Sequence, residues 1–264
     1  MGQLDQKQIE RLSDHLGEAE TKGAGVAPLT EVVADLTVEA AYQVQLETIR
    51  RKVAAGQRVI GKKIGLTSLA MQNLLGVNEP DYGHLLDGMV VENGGEISFS
   101  RVLQPRVEAE IAFVLKKDLQ GPRVTALDVL RATDYVLPAL EIVDSRVKDW
   151  KIKLADTVGD NASSGLYLLG GRPMRVDQVD LPQIGMIFYK NGAMINTGVG
   201  AAALGNPATC VAWLANKLSE FGITLKAGEV ILSGALHAAV NAVPGDAFLA
   251  RFAHLGEVSV RFVK

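Results

Sequence analysis

Cysteine is nearly missing from this chain: Cys210 is the only one among 264 residues, which excludes an intramolecular disulfide framework and any zinc site built on several thiolates. A lone thiol fits a reducing compartment. Histidine is scarce too, since His15, His84, His237 and His254 are scattered without ligand spacing and no H-E-x-x-H occurs. Neither sign of charge dominates. With 27 Lys and Arg dispersed among 30 Asp and Glu, the net charge is -3, and the electrostatic footprint of a nucleic-acid binder is absent. No apolar run approaches the ~20 residues of a membrane span, and the start, MGQLDQKQIERLSDHL, lacks the apolar core of a signal peptide. These absences predict a cytoplasmic protein that engages neither nucleic acid nor membrane. A hydrophobic content of 48% suffices for a sizeable core.

Hydrophobic periodicity divides the chain. Over residues 5 to 22, Ile9, Leu12, Leu16 and Ala19 recur at helical spacing, and Gly23 follows as a stop. Over residues 37 to 55, Val38, Tyr42, Leu46, Ile49 and Val53 do the same behind Thr37 as N-cap. From Arg58 the texture changes to short β-type segments separated by turn residues, among them RVIGKKIGLTS, EAEIAFVLKK, YVLPALEIVDSR and EVILSGAL. Asn191-Gly192 between two such runs predicts a hairpin. One later helix is marked by Asn206 as N-cap, Pro207 at its first turn and Cys210, Val211, Leu214, Leu218 and Phe221 on one face. The expected organisation is a helical region over 1–57 packed on a β-rich body over 58–264. Strands without regularly alternating helices exclude a doubly wound parallel sheet. GVGAAA at 198–203 matches a dinucleotide fingerprint only as letters, because it follows a hairpin arm and the next helix opens later, at Asn206.

Several residues carry possible chemistry. In PRVEAEIAFVLKK the period of two puts Glu108 and Glu110 on one strand face, where two like charges require water, basic groups, a shared proton or a cation. Glu141 stands in a second apolar run. Three carboxylates in strand contexts suit a hard divalent cation such as Mg²⁺ or Mn²⁺, and they equally suit the wet face of an antiparallel sheet. In IGKKIGLTS, Lys62 and Lys63 point to opposite faces, so one is expected in solvent and the other in a site, although an edge strand also uses lysines against aggregation. Lys62 is the choice for the solvated one. Asp81 follows Pro80 in a predicted turn that would hold its carboxylate rigidly. VGDNASSG and ILSGAL, which contain Ser163 and Ser233, offer N–H and hydroxyl groups to a ligand, or are ordinary turns.

GKKIGLTS, LLGVNEPDYGHL, QPRVEAEIAFVL, PALEIVDSR, DTVGDNASS, GAAALGNP and ILSGAL, in that order over nearly the whole chain, resemble the hydratase and decarboxylase branch of the fumarylacetoacetate hydrolase superfamily. The resemblance implies an α+β fold, a mixed β-roll body with a helical N-terminal region, and a homo-oligomer. It implies a metal site of Glu108, Glu110 and Glu141 for Mg²⁺ or Mn²⁺, with Asp81 transferring protons or activating water, Lys63 neutralising substrate charge, and Ser163 and Ser233 contacting substrate. The P-D-[FY]-G pattern at Pro80-Asp81-Tyr82-Gly83 is closest to the hydratases of 2-hydroxypenta-2,4-dienoate in aromatic meta-cleavage, whereas the decarboxylases of 4-oxalocrotonate carry an apolar residue at the Asp81 position. A pathway decarboxylase or aldolase is the implied partner protein. A decarboxylase, or a non-catalytic metal-binding assembly domain, are the alternatives.

Overall fold

The computed structural model describes residues 4–69, 72–73 and 76–264; Leu74 and Leu75 of LLGVNEPDYGHL lie outside the described residues. Helix α1, Gln6–Lys22, opens on a reciprocal cap in which the Asp5 carboxylate accepts the Gln8 N–H and the Gln8 side chain accepts the Asp5 N–H. It closes on left-handed Gly23. A short α2, Leu29–Val32, leads to α3, Val38–Ala54, capped by the Thr37 side chain. The buried side of α3 runs through Ala41, Tyr42, Val44, Gln45 and Ile49, and Val53 is exposed. The face differs from the predicted stripe because α3 packs on α1 and, across the body, on helix α5, Leu154–Gly159.

The β-rich part has, in chain order, β1 Val59–Gly65, β2 Asp81–Leu86, β3 Val90–Val91, β4 Glu96–Ser98, β5 Arg106–Leu115, β6 Thr133–Val143 and β7 Ser164–Leu169. It continues with β8 Gly185–Lys190, β9 Ala193–Val199, β10 Val230–Ala235, β11 Val240–Asn241, β12 Ala247–Phe252 and β13 Gly256–Val263. Helices α4, Ala126–Ala132, and α6, Pro207–Ser219, complete the described helices together with α5. An eight-stranded sheet runs β2-β1-β10-β5-β6-β7-β3 with β11 joining β5, and a five-stranded sheet runs β4-β13-β12-β8-β9. Both are mixed, since β1/β10, β3/β7 and β13/β4 pair parallel and the remaining ladders are antiparallel. The expected α+β body is present, and β8 and β9 form the Asn191-Gly192 hairpin.

Period two sorts the large sheet into two faces. Val107, Ala109, Ile111 and Phe113 of β5, with Leu140 and Ile142 of β6, enter the main core together with Cys210, Val211 and Leu214 of α6. Cys210 is packing material. The other face carries Glu108, Glu110 and Ala112, and around them Leu85, Leu137, Ala139, Tyr167 and Leu232 form a second buried cluster. The expectation for Lys62 fails: it is buried and pairs with Glu229 at 3.0 Å. The reason is that β1 lies between β2 and β10 rather than at an edge, and its alternating residues from Gly61 to Ile64 are buried on both faces. No described helix is long and apolar enough to cross a membrane.

Candidate metal centre

Glu108 and Glu141 face each other across the β5/β6 ladder, and Glu110 lies one period further along the same face of β5. One carboxylate oxygen from each of the three falls within 4.8 Å of the others. Glu110 and Glu141 are fully buried, whereas Glu108 is partly exposed and marks the open side. Regular strand geometry accounts for the grouping: two residues of one strand at i and i+2, and the cross-strand partner of the first, are nearest neighbours on a sheet face.

The basic partner comes from β1. Lys63 Nζ stands 3.2 Å from Glu141 Oε1, an ion pair at an angle that makes no hydrogen bond, so both Glu141 oxygens remain without a donor. Burial works against the lysine charge, yet Glu141, Asp81, Glu108 and Glu110 outweigh it and hold the Lys63 pKa above its ordinary value. Asp81 is not in a turn, as predicted, but opens strand β2 opposite Gly65, buried on the same side. A Cβ on Gly65 would come within 2.1 Å of Asp81 Oδ1, so any side chain here would force the aspartate carboxylate to turn aside.

The electrostatics expose a deficit. Four carboxylates meet the Lys63 ammonium, with the Arg106 guanidinium acting on Glu108 alone, in a largely dry space. Burial, then Glu141, pushes the Glu108 carboxyl up to about 7; burial with the same neighbours raises Glu110 well above the usual range, and burial raises Asp81 and Glu141. Glu110 Oε2 accepts the Gly234 N–H at 2.7 Å, but Glu110 Oε1, both oxygens of Glu141 and Asp81 Oδ1 have no hydrogen-bond donor among the described residues. Buried oxygens that face one another without donors are the donor set of a hard divalent cation, and an orphaned oxygen is otherwise costly to bury. The residues therefore fit such an ion.

The serines are arranged differently. Ser233 is buried with its hydroxyl donating to the Ile111 carbonyl at 2.7 Å, and it is the N–H of the next residue, Gly234, that reaches Glu110. Ser163 lies in the Asn161–Ser163 turn, where its N–H donates to the Asp160 carbonyl, its carbonyl accepts the Asp144 N–H and its hydroxyl stands 3.2 Å from Thr157 Oγ1. Gly65 and Gly234 escaped the sequence reading because they act through a missing Cβ and a backbone N–H. The motif DSR has a framing role: buried Arg146 donates to Asp160 and to the Ser164 carbonyl, pinning the loop that follows α5.

A model of the fumarylacetoacetate hydrolase C-terminal domain matches residues 82–263, and these contain all three glutamates. The chain belongs to the fumarylacetoacetate hydrolase family. Within it, a 2-hydroxypent-2,4-dienoate hydratase of Pseudomonas putida is 54% identical over 221 residues, covering 83% of this chain and 100% of that protein. A 2-hydroxyhexa-2,4-dienoate hydratase of Comamonas testosteroni is 48% identical and covers 98% of this chain and 99% of that one. Among solved structures, 4-oxalocrotonate decarboxylase from Pseudomonas putida G7, complexed with magnesium and adipate, superposes with a TM-score of 0.96 at 41% identity over 98% of this chain and 99% of that one. The fumarylacetoacetate hydrolase fold and the helical N-terminal region are thus common to this chain and that decarboxylase.

Proposed function

We propose that this chain is a divalent-metal-dependent hydro-lyase that hydrates 2-hydroxypenta-2,4-dienoate to 4-hydroxy-2-oxopentanoate in the meta-cleavage catabolism of aromatic compounds. The observation that carries the reading is the 54% identity, over 83% of this chain, to a hydratase of that dienoate, in a chain whose three glutamates, Lys63 and Asp81 converge on one sheet face. Glu108, Glu110 and Glu141 would hold the ion, Mg²⁺ or Mn²⁺. When bound it supplies Lewis-acid stabilisation of charge on the oxygens of a 2-oxo acid.

The chain's own groups account for the rest. The raised pKa of Lys63 keeps its ammonium charged, so it neutralises the substrate carboxylate or the developing enolate. Burial raises the Asp81 carboxyl above its ordinary value, which favours it as a group that takes up and returns a proton. The enol proton leaves as a proton is delivered to C5, giving a 2-oxo-3-enoate. Water then adds at C4 and a proton returns at C3, so one water is consumed and no redox change occurs. Asp81 is the proposed proton carrier and water-activating base. Leu85, Leu137, Ala139 and Leu232 give the apolar tail a dry wall.

The test is direct. Mixed with Mg²⁺ and the dienoate, the protein should remove the ultraviolet absorbance of the conjugated dienol and form the hydroxy-oxoacid, and EDTA should stop it. The close superposition on a 4-oxalocrotonate decarboxylase supports a second reading, in which CO₂ is released from 4-oxalocrotonate and the dienoate is untouched. Asp81 argues for the hydratase, because addition of water requires a base that loss of CO₂ does not. The family resemblance further supports a homo-oligomer that docks a pathway decarboxylase or aldolase, which sedimentation of the chain alone and with such a partner tests.

A further inference from the structure

The strand that carries Glu108 and Glu110 is held by a regular ladder on its β6 side but not on its β10 side. β10 follows β5 in register only to Leu232 opposite Ala112, then bulges so that Ala235 faces Glu110. Beyond the bulge, the Leu236 N–H donates to the Ala109 carbonyl at 3.0 Å. A closed antiparallel pair would return the Leu236 carbonyl to the Ala109 N–H. That carbonyl lies instead against β9, where a Cβ on Gly198 would come within 2.3 Å of it. The Ala109 N–H, between two of the three glutamates, is therefore left to a side chain: it donates to His237 Nε2 at 3.1 Å.

The ring is fixed on three sides. His237 Nδ1 is 2.7 Å from the Ala238 carbonyl, which can only accept, so Nδ1 carries the proton and Nε2 offers its lone pair to Ala109. Its plane packs on Phe188 of β8 with centroids 4.2 Å apart, which ties the ring to the second sheet. From this geometry we infer that His237 is a positioning residue for the metal centre: its Nε2 takes the place of a backbone acceptor and sets the spacing of the Glu108 and Glu110 carboxylates. It touches neither substrate nor ion. The inference rests on the metal-site reading proposed above.

The experiment separates the two. Metal-free protein is titrated with Mn²⁺ while the free ion is followed by its electron paramagnetic resonance signal, with amide exchange at Ala109 measured in parallel. His237→Met removes the acceptor at similar bulk, and His237→Gln keeps one at the reach of Nε2. The expected result is Mn²⁺ binding weakened about tenfold, in the range of losses seen when the support of a ligand is removed, with faster Ala109 exchange in His237→Met and near-wild-type values in His237→Gln. In turnover assays the metal concentration for half activation should rise in His237→Met while kcat at saturating metal stays close to wild type. Wild-type Mn²⁺ affinity in His237→Met, or equal weakening in both variants, overturns the role of His237 alone. A wild-type chain that takes up no Mn²⁺ overturns the metal site and this role together.

Discussion

At Gly65 a single methyl group would separate an assembled site from a broken one. Alanine there would drive Asp81 away from Lys63, and a misplacement of about 1 Å lowers turnover on the order of 100-fold. Gly65→Ala should therefore show that loss in kcat with Mn²⁺ uptake retained, as read by steady-state kinetics and metal titration. Asp81→Asn should lower kcat by roughly 10²–10⁴, the span of a proton-transfer group, and again leave metal binding in place. Glu110→Gln behaves in the opposite sense. Its amide oxygen still accepts from Gly234, so the fold persists, but with one ligand charge gone Mn²⁺ uptake should fall by well over about tenfold in the same titration. The pairing of Glu108 with Glu110 on one face was legible from period two alone. That Glu141 stands directly across the ladder from Glu108 was not, because a register between strands is set by the sheet and has no mark in either segment.

Elements meet the site through a few buried polar contacts. Gln45 on α3 donates to the carbonyls of Tyr82 and Val158 at 3.0 and 2.7 Å, and its oxygen stands 3.0 Å from His84 Nδ1. The helical region is thereby bonded to β2, the strand that opens on Asp81. Gln45→Leu would leave these buried groups without partners, at about 1–3 kcal/mol for each group orphaned, and chemical denaturation should register the loss. The helices themselves were readable: Thr37 and Asn206 cap where predicted because capping is local. The short α4 and α5 were not, since seven and six residues are too few to display a helical period. The two lysines divide the same way. Alternation correctly sent Lys62 and Lys63 to opposite faces, but the packing that covers both faces of β1 decided that both would be buried, one on Glu229 and one on Glu141.

For the whole molecule, the buried charge and the buried histidine govern how stability responds to solution conditions. Binding of Mg²⁺ or Mn²⁺ to the folded chain alone should raise the thermal midpoint, and EDTA should return it to the metal-free value, as scanning calorimetry would record. His84 acts through protons. Burial, then the Lys62 charge, depresses its pKa from 6.5 to about 3, so between these values the unfolded chain binds a proton that the fold refuses. Its contribution is present above pH 6.5 and is lost as the pH falls toward 3, by at most ~1.4 kcal/mol per pH unit for one group. Between pH 7.5 and 5.5 the raised carboxyls of Glu108 and Glu110 act in the opposite sense, so the loss is read as the difference between wild type and His84→Gln in denaturation at the two pH values. By itself the sequence determined the class of fold, the helix limits, the hairpin and, through its ordered motifs, the family with its glutamate triad. Those follow from neighbours along the chain, where periodicity, caps and turn residues act. Only the tertiary structure decided that the triad gathers within 4.8 Å, that β10 bulges beside it and that a histidine completes the broken ladder, because each depends on which strands lie side by side.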